Sequence, residues 1–553
     1  MPSSLHRWFP FLAWPRPTRH LLHGELWAGL TVGLMVIPQG VAYAALAGMP
    51  LVTGIYASML PALVAVLWSS STRLSVGPTA LTCLLVASSL TGLAEPGSPQ
   101  WINLAVWLAL LSGLLQVGLG FMRFGWLLNV VSSPVLTGFT QAAAVLILAS
   151  QLPALLGFRH DWAGMLAQPE VNLAAAAFGL GSLAALVLAR RWSPRFPAVV
   201  LVVGLSAGLS AGLGFEASGG KVVGALAAGL PSFYVPSLLP WQALGELMVP
   251  ALVITLVSFL ETASSAKVDS QRGGHRWDQD QDLIGQGLAK ITSAFSGAFP
   301  TSSSFSRSAL NLFAGAQTGW ATLVSVVVVL LALLLLTPVL HYVPQSVLAA
   351  VVVAAIYGTL KPAAFARLWR VSRVEAATGS VTFAVTVLSA PRLYWGVITG
   401  LMMGLLHFLY QRLHPRIIEV GLHPDGSLRD RHLWHLPPLA PGLYALRMDA
   451  ELDFASATSL ERAISDQVAA QPAVRHVCLF AQPINRIDAT GVEIFGQIRQ
   501  VLAARGITLH ISGIKLPVET VLRRAGELSE GPLLRLYRTD AETMAALQQT
   551  AET

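Results

Sequence analysis

The stretch Pro300-Thr301-Ser302-Ser303-Ser304-Phe305-Ser306-Arg307-Ser308-Ala309-Leu310-Asn311 crowds hydroxyl groups in front of an apolar run and sets a full arginine charge within it. Its counterpart in the first half of the chain is Leu74-Ser75-Val76-Gly77-Pro78-Thr79-Ala80-Leu81, where Gly, Pro and Thr again open a short apolar segment. Long apolar sequence surrounds both, which puts them at membrane depth. A charge held there is costly, so Arg307 is a candidate functional residue. Interrupted apolar segments at matching positions of two halves point to a transporter whose substrate site lies between them.

Composition agrees with a membrane protein. Of 553 residues, 54% are hydrophobic and 11% charged, and the mean hydropathy is +0.62. A soluble domain carries roughly 25% charged residues, so a globule of this length would lack the polar surface to solvate itself. A helical span needs about 20 apolar residues, and the sequence between Leu26 and Tyr410 has room for more than ten. Gly, Pro and charged residues divide it into fourteen segments, with markers at Arg73, Arg123, Arg159, Arg195 and Arg272 among others. Several segments are too short to span alone, as broken helices are. The halves divide near Trp241. An odd number of spans in each gives the halves opposite orientation, which implies an inverted repeat.

The net charge is +7, and its distribution argues for membrane orientation over nucleic-acid binding. Arg7, Arg16 and Arg19 precede the first span. Later basic clusters (Arg190, Arg191 and Arg195; Lys267, Arg272 and Arg276; Lys361, Arg367, Arg370 and Arg373; Arg412 and Arg416) share its side when the N-terminus is cytoplasmic and the span number even. No apolar core with a small-residue cleavage site stands at the N-terminus, so no removable signal is expected. A bacterial inner membrane suits such a chain. The 15 tryptophans read as interfacial anchors. Two cysteines, Cys83 and Cys478, exclude a disulfide framework.

Four regions follow: a basic lead-in over residues 1–24, a transmembrane domain over 25–411, a polar linker over 412–441, and a small α/β domain over 442–553. In the last, Leu443–Met448, Val474–Phe480 and Thr508–Ile511 read as strands, and Thr458–Ala470 and Gly491–Ala504 as helices. His432 and His435 lie in the Pro-rich linker with no carboxylate or cysteine at zinc-site spacing, so no metal site is expected.

Ile37-Pro38-Gln39-Gly40-Val41-Ala42-Tyr43-Ala44, Leu46-Ala47-Gly48-Met49-Pro50, Gly54-Ile55-Tyr56-Ala57-Ser58 and Leu74-Ser75-Val76-Gly77-Pro78 resemble the first three spans of the SulP family, the sulfate permeases and related anion exchangers. Ser304-Phe305-Ser306-Arg307-Ser308-Ala309-Leu310-Asn311 resembles that family's second signature. Asn485-Arg486-Ile487-Asp488-Ala489-Thr490-Gly491 resembles a STAS domain, its usual companion. The resemblance covers nearly the whole chain in order. It implies fourteen transmembrane segments as a seven-plus-seven inverted repeat, divided into core and gate domains, and a cytoplasmic STAS domain. It also implies a homodimer and a surface for a regulatory protein. Three positions depart from the family pattern: Asp280-Gln281-Asp282 stands for Asn-Gln-Glu, Lys290 for an Asn, and Asp488-Ala489-Thr490-Gly491 for Asp-Ser-Ser-Gly. The last lacks a hydroxyl and puts phospho-regulation in doubt.

The resemblance implies that Gln39, Tyr43, Thr79, Ala80, Phe305, Ser306 and Arg307 bind substrate. Two facing helix N-termini supply about one unit of positive charge and free N–H donors, and Arg307 adds another. That charge suits a dianion, or a monoanion with a coupling ion. Glu261, in Val257-Ser258-Phe259-Leu260-Glu261-Thr262-Ala263-Ser264-Ser265, is the second candidate charge at the midplane. It can carry a coupling proton, or hold sodium together with Ser265. Plainer readings stand beside these: Arg307 and Glu261 as a structural pair, Gln39 as an interhelical hydrogen bond, Thr79 as a helix cap, and Lys290 as a residue that snorkels or pairs locally. The expected function is proton-coupled sulfate uptake with no cofactor beyond the coupling ion. Sodium-coupled bicarbonate and proton-coupled dicarboxylate transport are alternatives, as is a non-transporting sensor. No phosphate loop, nucleophile elbow or metal-ligand cluster suggests an enzyme.

Overall fold

A computed structural model of the chain describes residues 9–158, 170–192, 197–227, 229–273, 276–529 and 531–552. The markers Arg7, Arg159 and Arg195 lie outside them. The chain forms two compact units, Met1–Gly404 and Leu405–Thr553.

The first unit is helical. Its first half contains α1 (Arg19–Leu46), α2 (Val52–Trp68), the short strand β1 (Val76–Gly77), α3 (Ala80–Leu90), α4 (Pro99–Phe121), α5 (Ser133–Leu155), α6 (Leu173–Trp192) and α7 (Ala198–Gly212). Its second half contains α8 (Trp241–Gly273), α9 (Gln279–Phe295), β2 (Ser302–Ser303), α10 (Phe305–Phe313), α11 (Trp320–Leu335), the single turn α12 (Thr337–Leu340), α13 (Gln345–Tyr357), α14 (Ala363–Val371), α15 (Arg373–Leu388) and the start of α16 (Tyr394–Leu413), whose end belongs to the second unit. Five helices among the described residues, starting at Leu21, Pro99, Ser133, Leu173 and Trp241, are long and apolar enough to cross a membrane.

The two halves pack reciprocally. The first and second helices of the first half, α1 and α2, lie against α11, the fourth of the second half. Conversely α8 and α9, first and second in the second half, lie against α4, the fourth of the first. Helices α5 and α15 pack together, and α13 packs on both α5 and α6. This exchange of equivalent partners is the geometry of an inverted repeat. It separates a core built on the first four helices of each half from a second group that includes α5, α6, α13 and α15.

Glycines let the core helices approach. A Cβ on Gly40 of α1 would lie 2.8 Å from the Gly54 carbonyl oxygen of α2, and one on Gly54 would collide with the Gly40 carbonyl. Helices α4 and α9 cross the same way, at Gly113 and Gly287. Small residues are what membrane helices use where backbones touch. Buried carboxylates complete the frame. Glu25, fully buried, accepts from the N–H groups of Gln317, Thr318 and Ala321 at 2.7–2.9 Å and so caps the start of α11. Asp282, also fully buried, accepts from Ser70 N, Ser71 N, Ser71 Oγ and Trp277 Nε1 at 2.6–3.0 Å, pinning the turn after α2.

The second unit is a six-stranded sheet in the order β4-β3-β5-β6-β7-β8, formed by β3 (Ile417–Leu422), β4 (Leu428–Asp430), β5 (Leu443–Met448), β6 (His476–Phe480), β7 (Thr508–Ser512) and β8 (Leu534–Tyr537). Strands β5 to β8 are parallel, while β3 runs antiparallel to β5. Helices α17 (Ala457–Ala470), α18 (Ala489–Ala504), α19 (Leu516–Arg524) and α20 (Asp540–Glu552) complete the unit. The region expected to be a linker, residues 412–441, instead supplies the hairpin β3–β4. Ile418 and Val420 bury themselves in the sheet. The charges that made this stretch read as polar are used in pairs, Arg431 with Glu419 at 2.5 Å and Arg416 with Asp430 at 3.0 Å.

Gly54→Leu drives a side chain into the α1 backbone and should destabilise the protein by about 3 kcal/mol, seen as a lower thermal unfolding midpoint. In the sheet, His510 hydrogen-bonds His476 at 3.1 Å and Tyr537 Oη at 3.1 Å. Burial, with His476 and Arg535 adding to it, pushes His510 from 6.5 down to about 4. The unfolded chain then takes up a proton that the folded chain resists, so stability is complete above about pH 6.5 and falls as pH drops toward 4. Hydrogen exchange at Thr508–Ser512, corrected for its intrinsic rate, should accelerate over that window in the wild type and less in His510→Phe, where only His476, also lowered by burial, remains.

Candidate functional site

Two broken helices meet at the middle of the first unit. Strands β1 and β2 pair antiparallel, Val76 opposite Ser303 and Gly77 opposite Ser302. Each leads directly into a short helix, β1 into α3 and β2 into α10, and each of these is the third helix of its half. The pairing therefore turns the two helix N-termini toward one another. Gly77 and Pro78 stop the chain from entering a helix earlier, and a hydroxyl caps each start. Thr79 Oγ1 accepts from Thr82 N at 3.3 Å, and Ser304 Oγ from Arg307 N at 3.5 Å. Ser75 ties the strands further: its carbonyl accepts from Ser304 N at 2.9 Å and its N–H donates to Ser308 Oγ at 3.0 Å.

Arg307 lies in this crossing and is 1% exposed. Its Nε donates to Ser75 Oγ at 3.3 Å and its Nη1 to Gln39 Oε1 at 3.5 Å. Its Nη2 is buried and has no hydrogen-bond partner among the described residues. A Cβ at Gly77 would lie 3.3 Å from that Nη2, so the glycine leaves the space beside it open. Glu261, on α8, accepts from Thr79 Oγ1 at 3.1 Å. Thr79 thus caps α3 and holds Glu261 with the same hydroxyl group. Among the described residues no ion pair joins Arg307 to Glu261, although each lies in the other's electrostatic field. Direct bracing of one by the other is not the arrangement observed.

The residues singled out from the sequence divide by position. Gln39, Thr79, Glu261 and Arg307 form one connected group. Tyr43, one turn after Gln39 on α1, is buried within the field of Arg307 and Glu261. Ala80 is buried at the first position of α3. Ser306 is exposed and lines, with Gln39, a cavity of about 140 Å³ whose opposite wall includes Leu186 of α6, Ala198 of α7 and Val351 of α13. The cavity therefore separates the site from the second helix group. Phe305, at 54% exposure, stands away from the buried cluster. Ser265 is buried one turn beyond Glu261, its hydroxyl without a partner among the described residues.

Several neighbours were not singled out as site residues from the sequence, or were given another role there. Lys290 does not snorkel: it is fully buried, and its Nζ donates to Gln116 Oε1 at 2.7 Å and Ser258 Oγ at 2.5 Å. Lone polar residues in apolar spans were the signal available for Gln116 and Ser258. Gln286 donates to Ser303 Oγ at 3.1 Å and steadies β2. The Asp280-Gln281-Asp282 departure proves to be scaffold. Asp280 accepts from Gly125 N at 2.8 Å, Gln281 donates to the Trp68 carbonyl at 2.6 Å, and Asp282 holds Ser70 and Ser71. In the second unit Asp488 caps α18, accepting from Gly491 N at 2.8 Å and from Phe454 N at 3.0 Å.

Comparison with known proteins accords with this geometry. Residues 22–382 match the Sulfate permease family and residues 438–542 the STAS domain. The chain is 30% identical over 547 residues to the chloroplastic sulfate transporter 4.1 of Arabidopsis thaliana, covering 94% of this chain and 79% of that protein. It is 30% identical over 522 residues to a probable sulfate transporter of Mycobacterium tuberculosis, covering 93% of each. The sodium-independent sulfate anion transporter of Bos taurus is 30% identical over 565 residues, covering 95% of this chain and 89% of that one. Among solved structures, the murine Solute Carrier 26 family member A9 anion transporter in its inward-facing state superposes with a TM-score of 0.89 at 20% identity, over 99% of this chain and 95% of that one. The fold is thus the seven-plus-seven inverted repeat followed by a STAS domain. With most of the first unit matched by the family model and relatives similar along nearly its whole length, the chain belongs to the Sulfate permease family.

Proposed function

We propose that this protein is a secondary transporter that takes up sulfate together with a proton by alternating access. One observation carries the reading: Arg307 is buried between two facing helix N-termini with an unpartnered N–H group beside an open glycine. An unsatisfied buried donor is expensive, and an oxyanion satisfies it. The helix ends add roughly one positive unit and further N–H donors. Gln39 and Ser306 then line the route from the cavity to that point.

Glu261 supplies the coupling. It shares Thr79 with the helix end that would hold the anion. Protonating it removes a negative charge from the site and strengthens anion binding, and by linkage the anion strengthens proton binding equally. Proton and dianion therefore travel together. Movement of the core carrying both half-helices against the second helix group would expose the site on alternate sides. The same reading places both termini and the STAS unit on the cytoplasmic side of a bacterial inner membrane, since the basic clusters favour that side. It follows the family pattern in taking the working form as a homodimer with the STAS surface open to a regulatory protein.

Labelled sulfate uptake into proteoliposomes tests the proposal. An inward proton gradient should stimulate uptake, and excess bicarbonate or fumarate should not compete. Failure of sulfate uptake, or its loss to either competitor, would transfer the site to another anion. Arg307→Gln should weaken sulfate binding roughly a hundredfold, the value of a charge-assisted contact, while the protein stays monodisperse. Glu261→Gln should abolish the response to the proton gradient yet retain sulfate exchange at equal pH.

A further inference from the structure

Lys290 is a buried charge that neither the frame nor the transport cycle described above accounts for. Its ammonium has three N–H donors, and the partners identified for it are two neutral groups, Gln116 Oε1 at 2.7 Å and Ser258 Oγ at 2.5 Å. Among the described residues no carboxylate forms an ion pair with it. A cation taken wholly out of water without a direct ion pair is costly, and the fold nevertheless takes pains to fix it. Gln116 is oriented by donating its Nε2 to the Thr255 carbonyl at 3.3 Å and to Ser258 Oγ at 3.1 Å, which leaves its oxygen for Lys290. Ser258 in turn donates to the Thr255 carbonyl at 3.1 Å, so both of its lone pairs are available to donors.

The location gives this arrangement a purpose. Ser258 lies on α8 one turn before Glu261, and its carbonyl accepts from Ser302 Oγ of β2 at 3.3 Å. Lys290 therefore joins the back of the anion site, and its charge acts on Glu261, as does that of Arg307. The other polar groups near Glu261 are the neutral hydroxyls of Thr79, Ser302 and Tyr43 and the Cys83 thiol.

We propose that the Lys290 ammonium, held by Gln116 and Ser258, is a built-in counter-cation that stands in for a mobile metal cation beside Glu261 and makes transport by this chain independent of sodium. The inference rests on the reading of Glu261 as the coupling group and adds a determinant of cation specificity to it. A fixed cation moves with the core and is never released, so it raises anion affinity in both access states without adding a transported charge. It also repels sodium from the space between Glu261 and Ser265, where the partnerless Ser265 hydroxyl would otherwise be a ligand.

Two readouts on the full-length protein test this. The first is labelled sulfate uptake in proteoliposomes under matched sodium or choline gradients. The second is the thermal unfolding midpoint in matched sodium chloride or choline chloride, which requires no transported anion. Wild type should show no difference between the cations in either. Lys290→Asn should lose uptake in choline and regain it roughly tenfold or more in sodium, the scale of one nearby charge, and sodium alone should raise its unfolding midpoint. Gln116→Glu keeps the lysine and the shape of its pocket but neutralises its charge in place, and it should gain the same sodium response if Lys290→Asn does not fold. Selective stabilisation of the wild type by sodium, or indifference of a folded variant to sodium in both readouts, would overturn the proposal. If the wild type carried no sulfate, the functional reading would fail, and the unfolding measurement would still decide the role of Lys290.

Discussion

Four backbone positions hold the two halves of the membrane unit face to face. Val76 pairs with Ser303 and Gly77 with Ser302. At membrane depth a broken helix leaves N–H and C=O groups that water cannot satisfy, and each costs several kcal/mol if left alone. The two breaks solve the problem for one another. Because their strands run antiparallel, the helices that leave them begin at the same place and diverge. The positive ends of both then serve a common point, which neither half could build alone. Everything else at the site depends on this pairing: Arg307 enters through the first turn of α10, Thr79 through the cap of α3, and Ser75 binds both the opposite strand and the guanidinium.

A second constraint is where the buried charges go. Glu25 and Asp282 are completely enclosed, and their oxygens accept from backbone N–H groups, so their charge is consumed in holding turns. Arg73 is paired with Asp269 at 2.6 Å. Arg307, Glu261 and Lys290 differ from these: among the described residues the partners that hold them are side-chain hydroxyls and amides, with no backbone group and no ion pair. These structural charges are spent on backbone N–H groups or on an ion pair, whereas the charges around the half-helices are not. That contrast separates scaffold from site better than burial does, because both groups are buried.

Much of this was legible in the sequence, and the reasons differ by region. The half-helices were visible because their breaks require Gly, Pro and hydroxyl residues that an uninterrupted span avoids. Three strands and two helices of the second unit were visible because Leu443–Met448 and its successors carry apolar runs, whereas β8, α19 and α20 are shorter or more charged and were not read. The β3–β4 hairpin was hidden by the side chains that stabilise it. Pairs such as Arg431 with Glu419 and the Arg429 guanidinium over Trp434 read as a solvated linker until the fold brings them together. Lys290 was misread for a related reason. A lysine near a helix end ordinarily reaches for water, and only the crossing of α9 with α4 places Gln116 where it captures the ammonium. Its partner is 174 residues away in sequence, so no local pattern announces it.

The inverted repeat also explains why the site is asymmetric. The pseudo-symmetry brings two equivalent helix ends together, but the residues at those ends are not equivalent. One end carries Thr79 and reaches Glu261, and the other carries Ser304 and Arg307. Symmetry thus supplies the geometry, a common focus of two dipoles, while divergence between the halves supplies the chemistry. An anion at that focus would face an arginine from one half, and a carboxylate reached through a hydroxyl of the other. If both ends carried arginine, protonation would have nothing to control. If both carried carboxylates, the positive ends of the helices would be spent on the protein's own charge. A single cation at one end and a protonatable group beside the other is the arrangement in which anion binding and proton binding depend on each other.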